Sequence, residues 1–207
     1  MSDLVLEFYS EEIPSRMQYN ASLYLENFFI DELLHARLNY AKLNTFVTPR
    51  RLTLIINDLS ESSKISFEEK RGPRVGSPSI AIEGFARSLN IDKSLLYTKK
   101  EKKGEFYFYK SKKKSITLTD IIGQISKNLL TNFPWKRSMR WGEGNLRWVR
   151  PLKFVYCSLF NNENDFEIID LKLNEVKSVN FTFGHYLISS KKIYPKSVSD
   201  YLQKLLK

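Results

Sequence analysis

The sequence has 207 residues, 42% hydrophobic and 14% aromatic, so it can bury an ordinary core and is not expected to be disordered. Thirty-three Lys and Arg against 23 Asp and Glu give a net charge of +10, which favours a polyanionic partner. Charges break the apolar runs well before the roughly 20 residues of a membrane span, so we expect no membrane partner. A single cysteine, Cys157, excludes an internal disulfide, and the acidic start of the sequence is not typical of a secretory signal. We therefore expect a cytoplasmic protein.

The first residues have a strand, helix, strand pattern. Apolar residues alternate over Leu4–Phe8, which is strand periodicity. Pro14 suits the first turn of a helix, and apolar residues then recur every three or four positions, which predicts an amphipathic helix to about Tyr40. Residues 46–58 are predicted as two strand pieces interrupted by Pro49, because proline cannot donate a hydrogen bond into a sheet.

The middle of the sequence is predicted to contain a loop, a hairpin and two helices. Residues 68–78 concentrate glycine and proline and indicate a loop, whereas residues 79–90 have the pattern of a short helix. Residues 99–114 indicate a lysine-rich hairpin that turns at Gly104. Because lysines on an exposed edge strand prevent aggregation, we interpret them in that way rather than as a binding surface. A second helix is predicted over residues 117–133.

The last part of the sequence predicts a strand pair and a helix. Residues 151–160 form a buried strand pattern, residues 166–173 a second strand, and residues 197–207 an amphipathic helix. The apolar stripe of this helix reaches the last residues, so we expect a fragment of a longer protein, although a terminal helix docked on the core would give the same pattern. The predicted class is α+β, a mixed or antiparallel sheet with packed helices, divided into regions 1–115 and 116–207.

The sequence offers few candidates for catalytic residues. Two histidines and one cysteine lack the spacing of a metal site, and Cys157 lies in an apolar strand where a thiol is inert. Glu7, Glu11 and Glu12 cluster near the end of the first strand, where the positive end of the following helix explains acids without chemistry. We predict no catalytic residue in this chain.

All three tryptophans fall within residues 134–151, interleaved with basic residues. Glycines at 142 and 144 predict a turn between two short antiparallel strands, so Trp141 and Trp148 can pack on one face while basic side chains project from the other. We interpret the aromatic face as structural and the basic face as a surface for phosphates, which give affinity without base identity. The candidate nucleic-acid-binding residues are Lys136, Arg137, Arg140, Arg50, Arg51, Arg147 and Arg150.

Seven segments in this order form a specific set: LVLEFYSEEIP, FVTPRRLTLII, KRGPRVG, AIEGFARSLNI, KGEFYFYK, FPWKRSMRWGEGNLRWVRPLKFV and FTFGHYL. They are spread from residue 4 to residue 187, along nearly the whole chain, and resemble the N-terminal third of the β subunit of the bacterial glycyl-tRNA synthetase built from two α and two β chains. In that family the α subunit carries the adenylation site and the β subunit is a large tRNA-binding chain needed for activity.

The resemblance implies a tRNA-binding and assembly role within an ATP-dependent ligase. It implies that this chain binds no cofactor or metal, whereas the complete complex uses ATP and magnesium. The implied partners are the α subunit, a second β subunit and tRNA. The second half is expected to be similar to the B3/B4 domain of the phenylalanyl enzyme at the level of fold. The alternatives are a stand-alone RNA-binding module and a structural domain that docks the α subunit. Each candidate basic residue has a corresponding alternative role, an ion pair with acids of this chain or of the α subunit.

Overall fold

The computed structural model of the protein describes residues 1–60, 67–101, 104–112, 117–162, 165–172, 176–185, 187 and 191–206. The helices among these residues are α1 (Ser15–Ala36), α2 (Ser79–Ser88), α3 (Leu118–Asn132) and α4 (Val198–Leu205). The strands among them are β1 (Ser2–Ser10), β2 (Lys42–Thr48), β3 (Arg51–Leu59), β4 (Phe67–Arg74), β5 (Tyr97–Glu101), β6 (Gly104–Lys112), β7 (Met139–Arg140), β8 (Arg147–Trp148), β9 (Leu152–Asn162), β10 (Asp165–Ile168), β11 (Ser178–Val179), β12 (Thr182–Phe183) and β13 (Lys192–Ile193). Helices packed on largely antiparallel sheets confirm the predicted α+β class.

Contacts group the chain into two units. The larger contains Met1–Ser62 and Thr117–Lys207, and the smaller contains Ser63–Ile116. The larger unit includes both ends of the chain because β1 pairs with β9 along most of its length. The predicted division into 1–115 and 116–207 concerns sequence regions and stays a prediction, as does the expected B3/B4 likeness.

The main sheet of the larger unit has the strand order β10, β9, β1, β3, β2, and β11 adds to β9 in parallel. Neighbouring strands along this order are antiparallel, so Leu6 of β1 lies between Leu54 and Cys157. This face of the sheet packs against the apolar sides of α1 and α3 and forms the main core. The opposite face carries a smaller cluster in which Tyr201 of α4 packs with Val5 and other residues of the sheet. The central strand β1 is therefore buried on both sides.

The predicted helices at the start and in the middle of the chain are confirmed. α1 buries Ala21, Leu25, Phe29 and Leu33 at the expected spacing, and it ends at Ala36 because Arg37 adopts a left-handed conformation with φ 56°. Thr117 and Asp120 form a reciprocal capping box at the start of α3. No helix in the described part of the chain combines the length and the apolar character that crossing a membrane requires.

The smaller unit has a three-stranded sheet in the order β4, β6, β5, with α2 following β4. The prediction of a loop over residues 68–78 is wrong for its first part, because β4 continues to Arg74. The strand tolerates Gly72 and Pro73 since it lies at an edge and its register shifts between Arg71 and Arg74. Gly72 leaves room for the Phe85 ring, since an added Cβ would lie 2.5 Å from that ring and would force it to move. The predicted hairpin of β5 and β6 is confirmed, with Gly104 at positive φ.

Candidate nucleic-acid interface

The segment between α3 and β9 is held by a cluster of aromatic rings. Trp148 is fully buried, with its ring centroid 5.5 Å from Phe8, 5.0 Å from Phe133 and 5.0 Å from Trp135. Phe133 and Trp135 stack on each other at 4.3 Å. Trp141 is half-buried against the same core. The tryptophans thus have the predicted structural role, and they anchor the basic segment to the main sheet.

Strands β7 and β8 form the predicted antiparallel pair, although each is only two residues long. Arg140 lies directly opposite Arg147, and both side chains are exposed. Gly142 adopts φ 59° in the turn that joins the two strands. Like charges directly opposite each other in a sheet are destabilising, so the Arg140–Arg147 pair does not stabilise these two strands.

Most of the other candidate cations also face solvent. Lys136 and Arg137 are exposed, and neither has an ion pair or a side-chain hydrogen bond within the described residues. Arg147 donates a hydrogen bond to the Ser138 hydroxyl at 3.2 Å, and Arg150 donates to the carbonyl of Val149 at 3.0 Å. Five of the seven candidates therefore lie exposed on one short segment.

Arg50 has the alternative role, an ion pair within the chain. Its guanidinium lies 3.5 Å from carboxylate oxygens of both Glu11 and Glu12. Glu11 also contacts the ammonium of Lys153 at 2.8 Å, and this hydrogen bond holds the pKa of the Glu11 carboxyl below its usual value. α1 begins beyond these acids, at Ser15, and its first turn contains no acidic residue. Their observed role is therefore pairing with cations at the end of the main sheet.

Arg51 pairs with a buried acid that the sequence analysis had placed among the helix-start residues. Glu7 is fully buried, and its carboxylate lies 3.1 Å from Nε of Arg51. It accepts a hydrogen bond of 2.6 Å from the Thr182 hydroxyl and another from the Tyr201 hydroxyl. Arg51 also donates to the carbonyl of Phe183. Burial, with the Glu7 charge beside it, raises the pKa of Tyr201 well above its usual value.

The residues next to Glu7 on β1 could have indicated from the sequence that this acid is buried. Glu7 alternates with Val5 and Tyr9, so it shares the face of the strand on which both of them are buried. A strand whose two faces are both apolar is central to a sheet, and a charge within it must be paired. The contacts of Arg50 and Arg51 with tRNA stay predictions.

The described residues contain no group of three or more His, Cys, Asp or Glu side chains placed to hold a metal ion. Cys157 is fully buried on β9, and burial raises the pKa of its thiol far above the usual value. A thiol that keeps its proton at neutral pH is a poor nucleophile.

A family model described as glycyl-tRNA synthetase beta subunit matches residues 4–207. The chain is 40% identical over 205 residues to the glycine–tRNA ligase beta subunit of Ruegeria sp. (strain TM1040). It is 38% identical to that of Paracoccus denitrificans (strain Pd 1222) and 35% identical to that of Rickettsia akari (strain Hartford). These alignments include 99–100% of this chain and 30% of each relative.

All three relatives are named as a subunit of an aminoacyl-tRNA ligase. The chain belongs to the glycyl-tRNA synthetase beta subunit family, which confirms the resemblance seen in the seven sequence segments. It spans less than a third of the length of the relatives that it matches, and the match makes it an N-terminal part of such a subunit.

Proposed function

We propose that this chain is the tRNA-binding and assembly part of a glycine–tRNA ligase beta subunit. It holds the tRNA while an α subunit, which binds ATP and magnesium, forms the ester bond between glycine and the tRNA. The second β subunit completes the assembly, which acts in the cytoplasm. The chain itself contributes no catalytic residue and binds no cofactor.

The proposal rests on the exposed basic segment, which the cluster of aromatic rings around Trp148 holds against the main sheet. Lys136, Arg137, Arg140, Arg147 and Arg150 all face solvent, and none of the five has an ion-pair partner within the described residues. Phosphates are bound mainly by such cations, which position a nucleic acid without reading its sequence.

The cluster of aromatic rings around Trp148 holds the basic segment in a fixed position, as a specific binding surface requires. Trp148 is packed between Phe8, Phe133 and Trp135, so the backbone that carries the cations is ordered before tRNA arrives. A rigid binding surface loses less conformational entropy on association than a mobile tail does. A phosphate bound between the opposed Arg140 and Arg147 would add a further favourable contribution to binding, because it would relieve their repulsion.

The proposal is tested by titrating the 207-residue chain with tRNA at several salt concentrations. Counterion release gives a log–log slope of about −0.9 for each phosphate neutralised on a duplex and about −0.7 on a single strand. Five contacts therefore predict a slope of about −4. Apolar docking of an α subunit, the alternative role, would depend far less on salt. Affinity that does not fall with salt would refute phosphate binding.

Two charge-matched double variants locate the surface. Lys136→Ala with Arg137→Ala should weaken binding of cognate and non-cognate tRNA alike and reduce the magnitude of the slope by roughly 1.4–1.8. Lys42→Ala with Lys127→Ala removes the same charge from exposed positions outside the segment and should leave the slope nearly unchanged. Equal effects of the two double variants would remove this segment from the interface. Glycyl-adenylate formation by the chain alone would refute its non-catalytic role.

A further inference from the structure

A small cleft lies between the start of α1 and the segment that follows α3. Met17 and Tyr24 of α1 line one side, and Phe133 and Trp135 line the other. The Tyr24 ring stands edge-on to Phe133, with centroids 5.0 Å apart, and Phe133 stacks on Trp135 at 4.3 Å. Trp135 in turn contacts the buried Trp148. The aromatic wall of the cleft is therefore part of the packed core and is formed before any ligand arrives.

Polar and cationic side chains surround the same cleft. Arg16 and Asn20 on α1 and Lys136 on the opposite side all line it, and all three are exposed. Neither cation has an ion-pair partner within the described residues. No acidic residue occupies the first turn of α1, and its N-cap residue, Pro14, makes no side-chain capping hydrogen bond. The lining thus offers two unpaired positive charges and an amide beside an apolar aromatic wall.

The size of the cleft limits its ligand. Its volume is about 190 Å³, which is below the roughly 300–1,000 Å³ of pockets that enclose a drug-sized molecule. It can hold one flat ring system, with the rest of the ligand outside. A ring system that carries an adjacent anion satisfies both parts of the lining, since bases stack on aromatic side chains and phosphates bind to guanidinium and ammonium groups.

We propose that this cleft binds a single unpaired nucleotide, with its base against Trp135 and Tyr24 and its phosphate on Arg16 and Lys136. The Asn20 amide can donate to and accept from the edge of the base. The inference rests on the proposed function, because the nucleotide is taken to belong to a bound RNA. It adds a contact with an unstacked base to a surface that otherwise touches only phosphates.

The test uses fluorescence anisotropy of a labelled single-stranded oligoribonucleotide and of a blunt-ended RNA duplex without unpaired nucleotides. Asn20→Phe fills the cleft from an exposed helix position, and Asn27→Phe places the same ring at another exposed position of α1 outside the lining. Losing one stacked base should weaken binding of the single strand about tenfold in Asn20→Phe. Asn27→Phe should bind as the wild type does, and the RNA duplex should bind nearly equally to all three proteins.

A second variant tests the anion site independently of ring packing. Arg16→Ala removes an exposed cation that lies outside the 136–150 segment, and it should also weaken binding of the single strand more than binding of the duplex. AMP is titrated by calorimetry in parallel. If AMP binds as tightly as the oligonucleotide and this binding is lost in Asn20→Phe, the occupant is a free mononucleotide. That result would overturn the assignment of the nucleotide to a bound RNA.

Three results distinguish a failure of the cleft proposal from a failure of the proposed function. If the wild type binds RNA with the expected salt slope but Asn20→Phe and Asn27→Phe behave alike, the cleft proposal is overturned and the proposed function stands. If the wild type binds no RNA, both are overturned. If Arg16→Ala weakens binding of the single strand and of the duplex equally, Arg16 contributes only general charge and the phosphate position is overturned.

Discussion

Removing the buried carboxylate of Glu7 should be the most damaging single change on the second face of the main sheet. Glu7→Ala deletes the partner of Arg51, whose side chain is only 14% exposed, together with two acceptors used by Thr182 and Tyr201. Breaking a buried ion pair from one side costs about 3–5 kcal/mol, because the remaining charge stays out of water. For a chain of this length that loss lowers Tm by roughly 6–20 °C.

The assay is urea unfolding at neutral pH, followed by circular dichroism and tryptophan fluorescence. Glu12→Ala is the matched control, since its side chain is 57% exposed and lies 3.5 Å from Arg50, so that pair should contribute at most about 1 kcal/mol. Adding Arg51→Ala to Glu7→Ala should cost less than the sum of the two single changes, because both remove one interaction. A Glu7→Ala protein within about 1 kcal/mol of the wild type would refute the buried pair.

Three further predictions concern the core. Trp148→Ala should lower the free energy of unfolding by about 3–5 kcal/mol, and Trp141→Ala by clearly less, because Trp141 is only half-buried; equal losses in urea titrations would contradict this packing. Cys157 should react with a thiol reagent in step with unfolding, and rapid reaction of the native protein would show that the buried thiol is accessible. The raised pKa of Tyr201 means that above about pH 10 the unfolded chain releases a proton that the native protein keeps. Its contribution to stability is therefore complete below about pH 10 and is lost as pH rises, by about 1.4 kcal/mol per pH unit. Tyr201→Phe should make the alkaline fall less steep by this amount in urea titrations at several pH values, and an unchanged slope would exclude a contribution of Tyr201.

Local elements were predictable because their signals lie in neighbouring residues. The apolar spacing of α1 and α3 and the proline between β2 and β3 each depend on contacts within a few positions. The turn at Gly142 and the inward Trp148 follow from the same local rules. The prediction of β4 was wrong because glycine and proline are loop signals, and only pairing with β6 showed that an edge strand could include them.

The candidate site was predictable only in part. The sequence indicated which residues are basic and that aromatic rings alternate with them, but not which cations already have partners. Arg51 and Lys136 look alike in the sequence, yet one is paired with Glu7 and the other faces solvent. Arg16 had no signal, since it joins Lys136 across the cleft only when α1 packs beside the segment after α3.

By itself, the sequence determined the α+β class, the positions of the helices, the family and the excess of positive charge, since all of these depend on composition, on local periodicity or on matching segments. The tertiary structure alone decided which charges are buried in ion pairs and which remain for a ligand. Glu7 is 175 positions from Thr182 and 194 from Tyr201, and groups so far apart meet only when the central strand and the last helix come together. Burial and pairing are properties of that packing, because desolvation depends on every neighbour in space and not on the residue type.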